Sequence, residues 1–170
     1  MSKRIWLLIA VGVILALFIR SFVLEGIYVA SASMEPTLAV GSKFFLEKVT
    51  YYFREPAKGD IVVFPSPVKK DYDLIKRVIA TAGDTLEIRD KTVFLNGQAL
   101  SENYVKHTRS SELLVGDNLG PLQVPAGALF VMGDNRDESG DSRDWKDPAT
   151  GDHIYFVAVG SVKGKILILY

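Results

Sequence analysis

Residues 85–100 read TLEIRDKTVFLNGQAL, and this stretch decides the fold class. Apolar and polar side chains alternate in two short runs, Thr85 to Ile88 and Thr92 to Leu95, which three polar residues separate. Asn96-Gly97 gives a second tight turn before residues 98–100. The stretch therefore predicts an antiparallel hairpin followed by a third short strand.

The flanking sequence continues the β pattern. Short apolar runs predict buried strands at Ile61 to Phe64, Ala128 to Met132 and Val162 to Leu169. Residues 101–123 are polar and irregular, which predicts a long loop. Because helical periods are few after residue 25, we predict a mainly β, antiparallel-sheet domain.

The N-terminal segment is strongly apolar. Residues 5–19 read IWLLIAVGVILALFI without a charge, and the run extended to Leu24 is interrupted only by Arg20 and Ser21. Twenty helical residues span roughly 30 Å, the thickness of a bilayer core. We therefore predict one transmembrane anchor within residues 1–24. Lys3 and Arg4 before the run favour a cytoplasmic N-terminus and an extracytoplasmic domain over residues 25–170.

A cleavable signal peptide is the competing interpretation of this segment. Ala30-Ser31-Ala32 resembles the small-x-small pattern that precedes a signal peptidase cleavage site. Arg20 and Glu25 fall between the apolar run and this tripeptide, and the gap is long for such a signal. The pattern favours an uncleaved anchor and leaves cleavage near Ala30 to Ala32 open.

Composition excludes several classes of function. The chain has 170 residues with 20 basic and 20 acidic side chains, so it lacks the basic character typical of nucleic-acid binding. It contains no cysteine, which excludes disulfides, thiolate catalysis and cysteine metal sites. We expect no cofactor and no metal. A calcium loop starting at Asp137 would need Gly and Glu where Ser142 and Pro148 stand.

Three stretches are candidates for chemistry. Residues 31–38 read SASMEPTL, and Pro36 disfavours helical geometry just before it, so we expect Ser33 on extended backbone. Lys76 lies among apolar residues, a setting that lowers a lysine pKa when the side chain is buried. Residues 133–143 read GDNRDESGDSR and follow a predicted strand directly.

Each stretch taken singly has an ordinary interpretation. A serine in a turn usually serves to form that turn, a lysine beside an arginine usually faces water, and a D/N/S/G-rich stretch is usually a solvated loop. His107 and His153 have no triad partner in a recognisable motif, so we expect surface or structural roles for both.

Together the stretches are far more specific. SMEPTL at residues 33–38, KGDIVVF at residues 58–64, KRV at residues 76–78 with Gly83-Asp84, and the 133–143 run occur in one order after an apolar span. In motifs, order and spacing the chain resembles the bacterial type I signal peptidases, the leader peptidases, over roughly residues 20–100 and 121–170.

The resemblance implies a serine endopeptidase with a Ser/Lys dyad. Ser33 would be the nucleophile and Lys76 the neutral general base, with a hydrogen bond from Ser139 orienting the lysine. The Ser31 hydroxyl and the Ser33 backbone N–H would bind the oxyanion. The local candidates for the apolar shell of Lys76 are Val62, Val63, Leu74, Ile75 and Val78. The resemblance gives Asp134, Asp141 and Arg143 a structural role in the loop.

The resemblance also implies a substrate and a location. Signal peptides of secreted preproteins would bind as an added strand and be cut after small-x-small sites, beside a lipid bilayer and the secretion machinery. The protein would sit in the plasma or inner membrane. The residues implied near the substrate pockets are Ile27, Val29, Met34, Val63 and Ile75.

Three features depart from the family pattern. Ala30 stands where a proline is common, residues 144–155 form an insertion, and only one membrane span is present. A conjugative-transfer processing peptidase and a self-cleaving repressor are related alternatives, although the apolar span disfavours the repressor. A catalytically silent, anchored peptide-binding β domain is the alternative from another class.

Overall fold

The computed structural model describes residues 3–69 and 71–167. One helix, α1, spans Lys3–Phe22, and the rest is built mainly from strands. The strands are β1 Leu24–Tyr28, β2 Lys43–Glu47, β3 Ile61–Pro65, β4 Asp73–Thr81, β5 Thr85–Arg89, β6 Thr92–Leu95, β7 Gln98–Ala99, β8 Leu119–Gln123, β9 Ala128–Met132, β10 Val157–Ala158 and β11 Gly164–Leu167.

Within the described residues the strands form two antiparallel sheets. The large sheet has seven strands in the order β1-β2-β11-β3-β4-β9-β10, and the small sheet has four in the order β7-β6-β5-β8. The predicted mainly β fold is confirmed. So is the hairpin of β5 and β6, which turns through Asp90 and Lys91 with positive φ angles of 45° and 68°.

Several strands differ from the sequence-based prediction. Residues 101–123 are not all loop, since β8 pairs with β5 across Leu119–Gln123. The pairing of β1 with β2 was not foreseen. Both strands have short, partly exposed patterns that sequence alone does not separate from loop, and they become strands because neighbouring backbone satisfies their hydrogen bonds. β11 ends at Leu167, and residues 168–169 of the predicted strand lie outside the described residues.

The helix α1 is exposed along its whole length and is long and apolar enough to cross a membrane. It ends at Phe22, and β1 starts at Leu24, so the polypeptide passes almost directly from the apolar helix into the sheet. Lys48 fastens this junction, because its ammonium donates to the Arg20 and Ser21 carbonyls and its backbone N–H to the Val23 carbonyl. The division of the chain at residue 24 remains a prediction.

The large sheet has two differently lined faces at β3 and β4. Side chains alternate along a strand, so Val63 and Ile75 face one cluster while Val62 and Val78 face another. We call the first face the groove side and the second the lysine side, because Lys76 pairs with Val62 and shares its face. The cluster on the groove side comprises Val29, Met34, Leu38, Leu46, Ile61, Val63 and Ile166. The cluster on the lysine side comprises Val62, Phe64, Val78, Leu129, Val131, Trp145 and Val157.

Candidate active site

Ser33 lies in a single 3-10 turn over Ala32–Met34, between extended residues. The expectation of extended backbone at Ser33 is therefore wrong. Pro36 restrains only the residue before it, Glu35, which is extended at φ −66° and ψ 145°, and Ser33 remains free to turn. Ser31 precedes the turn with its hydroxyl oxygen 3.2 Å from the Ser33 hydroxyl oxygen.

Met34 fixes the Ser33 turn to the sheet. Its side chain is 1% exposed and belongs to the groove-side cluster, whereas Ser33 is half-buried and lines a cavity. The turn also contacts strand β4, which carries Lys76. The apolar neighbour thus anchors the backbone while the serine hydroxyl stays accessible.

Lys76 is 2% exposed, on the lysine side of the large sheet. Burial lowers its pKa below the ordinary value of 10.5, and the carboxylates of Asp141 and Asp144 oppose that effect. Val62, opposite on β3, and Val78, two residues along β4, are members of the lysine-side cluster. Val63 and Ile75 face the groove instead, so their expected place in the lysine shell is wrong because side chains alternate across a strand.

The loop after β9 carries Ser139 and the charged groups that act on Lys76. The Ser139 hydroxyl donates to Asp141 Oδ2 at 2.8 Å, which leaves the serine oxygen free to accept a hydrogen from an amine. Asp141 is fully buried and also binds the Arg143 guanidinium, with Arg143 Nε 2.8 Å from Asp141 Oδ1. Burial alone would raise the pKa of Asp141, but the charge and hydrogen bonds of Arg143 hold it below its ordinary value.

Gly133 and Asn135 join this loop to the nucleophile turn. A Cβ atom on Gly133 would collide with both the Ser33 carbonyl oxygen and the Ser139 hydroxyl, so this position admits only glycine. Asn135 donates from its backbone N–H to the Ser33 carbonyl and from Nδ2 to the Ala32 carbonyl, each at 3.1 Å. The turn and the loop are therefore held in direct contact.

Asp134 also holds the nucleophile turn in place, through contacts with β4 and with the segment after Ser33. It is completely buried and accepts two hydrogen bonds from Arg77, at 2.8 Å from Nε and 2.6 Å from Nη2. The Thr37 hydroxyl donates to the same carboxylate. Asp134 thus links the strand that carries Lys76 to the segment that follows Ser33.

Residues 102–109 pack against the 133–143 loop and bind it through hydrogen bonds and ion pairs. Lys106 donates its backbone N–H to the Asp134 carbonyl and accepts one from Arg136, and its ammonium lies 3.0 Å from the Glu35 carboxylate. Glu102 binds both Nη atoms of Arg136. His107 contacts Asp137 at 3.2 Å between ring nitrogen and carboxylate oxygen. These contacts therefore fix the polar segment 102–109 against the loop of the site.

A groove leads to Ser33 along the other face of the sheet. One cavity of about 170 Å³ is lined by Ser31, Ser33, Val29, Met34 and Ile75, among others. An adjoining cavity of about 560 Å³ is lined by Ile27, Val63 and Ile75, with Glu25, Lys48, Asp73 and Lys163 around them. All five residues predicted near the substrate pockets thus lie along one groove, although Val29, Met34 and Val63 are also nearly buried core residues.

A comparison with protein families decides the family of the chain. The family model described as signal peptidase, peptidase S26, matches residues 2–170. The chain belongs to this signal peptidase family.

Relatives of known name agree with the S26 assignment. The chain is 42% identical to a signal peptidase I of Bacillus licheniformis over 139 residues, which is 79% of this chain and 74% of the relative. It is 43% identical to a probable signal peptidase I-1 of Synechocystis over 145 residues, or 81% and 71% of the two chains. The crystal structure of a signal peptidase I from Enterococcus faecalis V583 matches with a TM-score of 0.50 at 34% identity, covering 68% of this chain and 98% of that one.

In this S26 peptidase, sequence reasoning named Ser31, Ser33, Lys76 and Ser139 but missed the residues that hold them together. Gly133, Asn135 and Arg77 lie inside the quoted motifs, so the motifs contained them without indicating what they do. Their roles depend on contacts across 57 or more positions of the chain, such as the pairing of Arg77 with Asp134.

Proposed function

We propose that the protein is a membrane-bound endopeptidase that removes signal peptides from secreted preproteins, with Ser33 as nucleophile and Lys76 as general base. The observations that carry the proposal are the burial of Lys76 beside an apolar cluster and the contact of its strand, β4, with the Ser33 turn. A free lysine is almost wholly charged at neutral pH and cannot accept a proton. Burial lowers the Lys76 pKa and so makes the neutral amine available.

The proposed reaction proceeds in two acyl-transfer steps. Lys76 Nζ takes the proton of the Ser33 hydroxyl as Oγ attacks the scissile carbonyl carbon. The resulting ammonium gives that proton to the leaving amine, which leaves the signal peptide esterified to Ser33. Lys76 then takes a proton from water as the hydroxide formed attacks the ester. As the ester C–O bond breaks, the Lys76 ammonium gives that proton to Ser33 Oγ, which restores the serine hydroxyl and the neutral lysine and releases the signal peptide with a new carboxyl group.

Ser31 and Ser139 have supporting roles in this mechanism. The Ser31 hydroxyl and the Ser33 backbone N–H would stabilise the oxyanion, and the 3.2 Å separation of the Ser31 and Ser33 hydroxyl oxygens supports that assignment. Losing one such donor typically reduces turnover by ~10²–10³. Ser139 would accept a hydrogen bond from the Lys76 amine, since its own proton goes to Asp141.

The groove supports recognition of an extended peptide ending in small residues. The cavity beside Ser33, about 170 Å³, suits a small side chain at the first position before the cut. The larger adjoining cavity would receive the third position, because alternate side chains of a bound strand point the same way.

Membrane attachment is part of the proposal. The apolar helix α1 would span the bilayer with Lys3 and Arg4 on the cytoplasmic side, and the β domain would act outside. Substrates would arrive from the same membrane. The helix end at Phe22 lies two residues before β1, which keeps the groove close to the bilayer.

The test uses the purified full chain and a preprotein with an Ala-x-Ala site. Wild type should cut after the second alanine, while Ser33→Ala and Lys76→Met should be inert with unchanged circular dichroism. Full cleavage by either variant would refute the dyad, and a folded, inactive wild type would favour a silent peptide-binding domain. Mass measurement of the purified chain shows whether other copies cut it after Ala32.

A further inference from the structure

Two neighbouring aromatic side chains, Tyr52 and Phe53, project from the turn that follows β2. They are 72% and 84% exposed, and Phe53 is the most exposed large apolar side chain among the described residues. Single exposed apolar residues are common on protein surfaces, but two adjacent exposed rings form a patch that can contact lipid or protein. We call these two residues the aromatic pair. It is a candidate contact surface.

The turn that carries the aromatic pair is held firmly to the β domain. Thr50–Tyr52 form a single 3-10 turn, and backbone N–H groups at its start donate to the Glu47 carboxylate. Tyr51 points inward, where its ring packs against the lysine-side cluster and its hydroxyl donates to the Asp60 carboxylate at 3.1 Å. The inward packing of Tyr51 therefore keeps the aromatic pair on the outside of the domain.

Lys48 holds this turn beside the end of α1. Its ammonium lies 3.3 Å from the carbonyl oxygens of Arg20 and Ser21, in the last turn of the helix. Phe53 follows through tightly coiled backbone, which rises ~2 Å per residue, so it lies about 10 Å from Lys48. The end of a membrane-spanning helix lies at a headgroup layer roughly 5–8 Å thick. The aromatic pair is therefore within reach of that layer.

The chemistry of the aromatic pair fits a lipid interface. Aromatic side chains collect at the boundary between headgroups and acyl chains, where the ring is apolar and a tyrosine hydroxyl stays hydrated. The basic side chains nearby already have partners, since Lys48 lies 2.7 Å from Glu25 and Arg54 lies 2.7 Å from Asp60. Attraction of this turn to a bilayer would therefore be apolar and would not require anionic lipid.

We propose that Tyr52 and Phe53 are an interfacial anchor that inserts into the headgroup layer beside α1 and sets how the β domain lies on the membrane. A lone transmembrane helix can tilt and rotate in the bilayer, and the domain fastened to it moves with it. A second attachment point beside the helix restrains both motions and holds the groove in one orientation toward membrane-borne substrate. The proposal rests on the membrane attachment that is part of the proposed function.

A second pair of exposed apolar residues gives a matched control. Leu113 and Val115 are 64% and 77% exposed, and the loop that carries them ends at Asp117, 3.7 Å from Arg143 in the loop after β9. In the large sheet β9 is the sixth strand counted from β1, which α1 contacts, so these two strands are about 24 Å apart. Residues 113 and 115 should therefore lie outside the headgroup layer.

The test measures the membrane depth of single labels. Because the chain has no cysteine, each introduced cysteine is the only one. Leu15→Cys, Phe53→Cys and Val115→Cys are made separately in the full chain, labelled with a nitroxide and reconstituted into phosphatidylcholine vesicles. Power-saturation EPR with oxygen and a nickel complex gives the depth of each label. The label at position 53 should lie ~5–10 Å below the headgroup surface, with position 15 deeper and position 115 in water.

The label at position 15 separates this inference from the membrane attachment. A lipid-exposed label at position 15 together with a water-exposed label at position 53 would overturn the proposal and leave the attachment intact. A label at position 53 that is shielded from both reagents and broadened by a second nitroxide would also overturn it, because the aromatic pair would then contact another copy of the chain. A water-exposed label at position 15 would refute the attachment, and the proposal with it.

A cleavage measurement tests the orienting role. The double variant Tyr52→Ser/Phe53→Ser is compared with Leu113→Ser/Val115→Ser on an Ala-x-Ala preprotein embedded in vesicles and on a short, water-soluble Ala-x-Ala peptide. The first variant should lose severalfold in kcat/KM on the embedded preprotein and cut the peptide like wild type, whereas the control should match wild type on both. Equal losses on the two substrates, or no loss on either, would overturn the proposal. The label depths need no cleavage, so they decide the proposal even in a chain that cuts neither substrate.

Discussion

Strand β4 presents two unlike environments at adjacent residues, Ile75 and Lys76. Ile75 is half-buried and faces a groove whose rim carries exposed ion pairs such as Asp73 with Lys163. Lys76 faces the opposite side, where the side chains are buried and the charged loop is neutralised by arginine. Recognition thus lies where a peptide can enter, and the candidate base lies among buried side chains.

Ion pairs of similar geometry on the two sides differ in how much stability is lost when one partner is removed. Asp73 lies 2.7 Å from Lys163, and Asp141 lies 2.8 Å from Arg143, so the geometry is nearly the same. The side chains of the first pair are 44% and 47% exposed, whereas those of the second are 0% and 5% exposed. Solvent screens the first pair, and only the second leaves a buried charge when one partner is removed.

The largest effect is expected from breaking the buried pair. Asp141→Ala leaves the Arg143 guanidinium buried without its carboxylate, which should cost about 3–5 kcal/mol of unfolding free energy. Asp73→Ala removes a screened pair and should cost at most about 1 kcal/mol. Urea denaturation of both variants measures the difference. Equal losses would show that the two sides do not differ in the way the exposures indicate.

A smaller effect of opposite sign, a gain in stability, is expected when the charge of Lys76 is removed. Its folded-state pKa is below its ordinary value, so between the two values the unfolded chain binds a proton that the folded chain does not. Stability of the wild type should therefore fall as pH drops from about 10.5 through that window, by about 1.4 kcal/mol for each pH unit between the two pKa values.

Lys76→Met removes this dependence and should be more stable than wild type at neutral pH. Urea midpoints measured at several pH values from neutral to 10 check the prediction. If wild type and Lys76→Met had parallel stability curves, the lysine would have an ordinary pKa and could not serve as the neutral base.

Sequence alone predicts the small sheet better than the large one. The turn at Asn96-Gly97 and the alternation in β5 and β6 are local signals, and the structure follows them. Strand β2 lies between β1 and β11 in the large sheet, and β11 comes more than a hundred residues later in the chain. No local pattern in residues 24–47 could indicate that partner.

In the candidate site, too, sequence predicts what local motifs carry and misses what depends on tertiary contacts. Ser33 and Lys76 come from motifs, but the 3-10 turn at Ser33 and the side of the sheet that Lys76 faces depend on tertiary contacts. The burial of Lys76 was a hypothesis at the level of sequence, and its 2% exposure shows why the pKa is low. Asn135 acts on Ala32 across about a hundred residues, and sequence spacing carries no trace of that contact.

The smallest expected effect distinguishes the two sides most directly. Val62 and Val63 are adjacent on β3, both nearly fully buried, and face the lysine side and the groove side respectively. Val62→Thr places a hydroxyl opposite Lys76, which relieves desolvation of the ammonium and should raise the Lys76 pKa. The acid limb of kcat/KM should then move to higher pH.

Val63→Thr makes the same exchange of a methyl group for a hydroxyl on the groove side and should leave that limb in place. It should instead raise KM for an Ala-x-Ala substrate, because the hydroxyl lies in the cavity proposed for the third side chain. Both variants bury one hydroxyl and should lose about 1–3 kcal/mol of stability, so unfolding does not explain a difference between them. An equal shift of the acid limb in both would mean that alternation along β3 does not separate the base from the substrate groove.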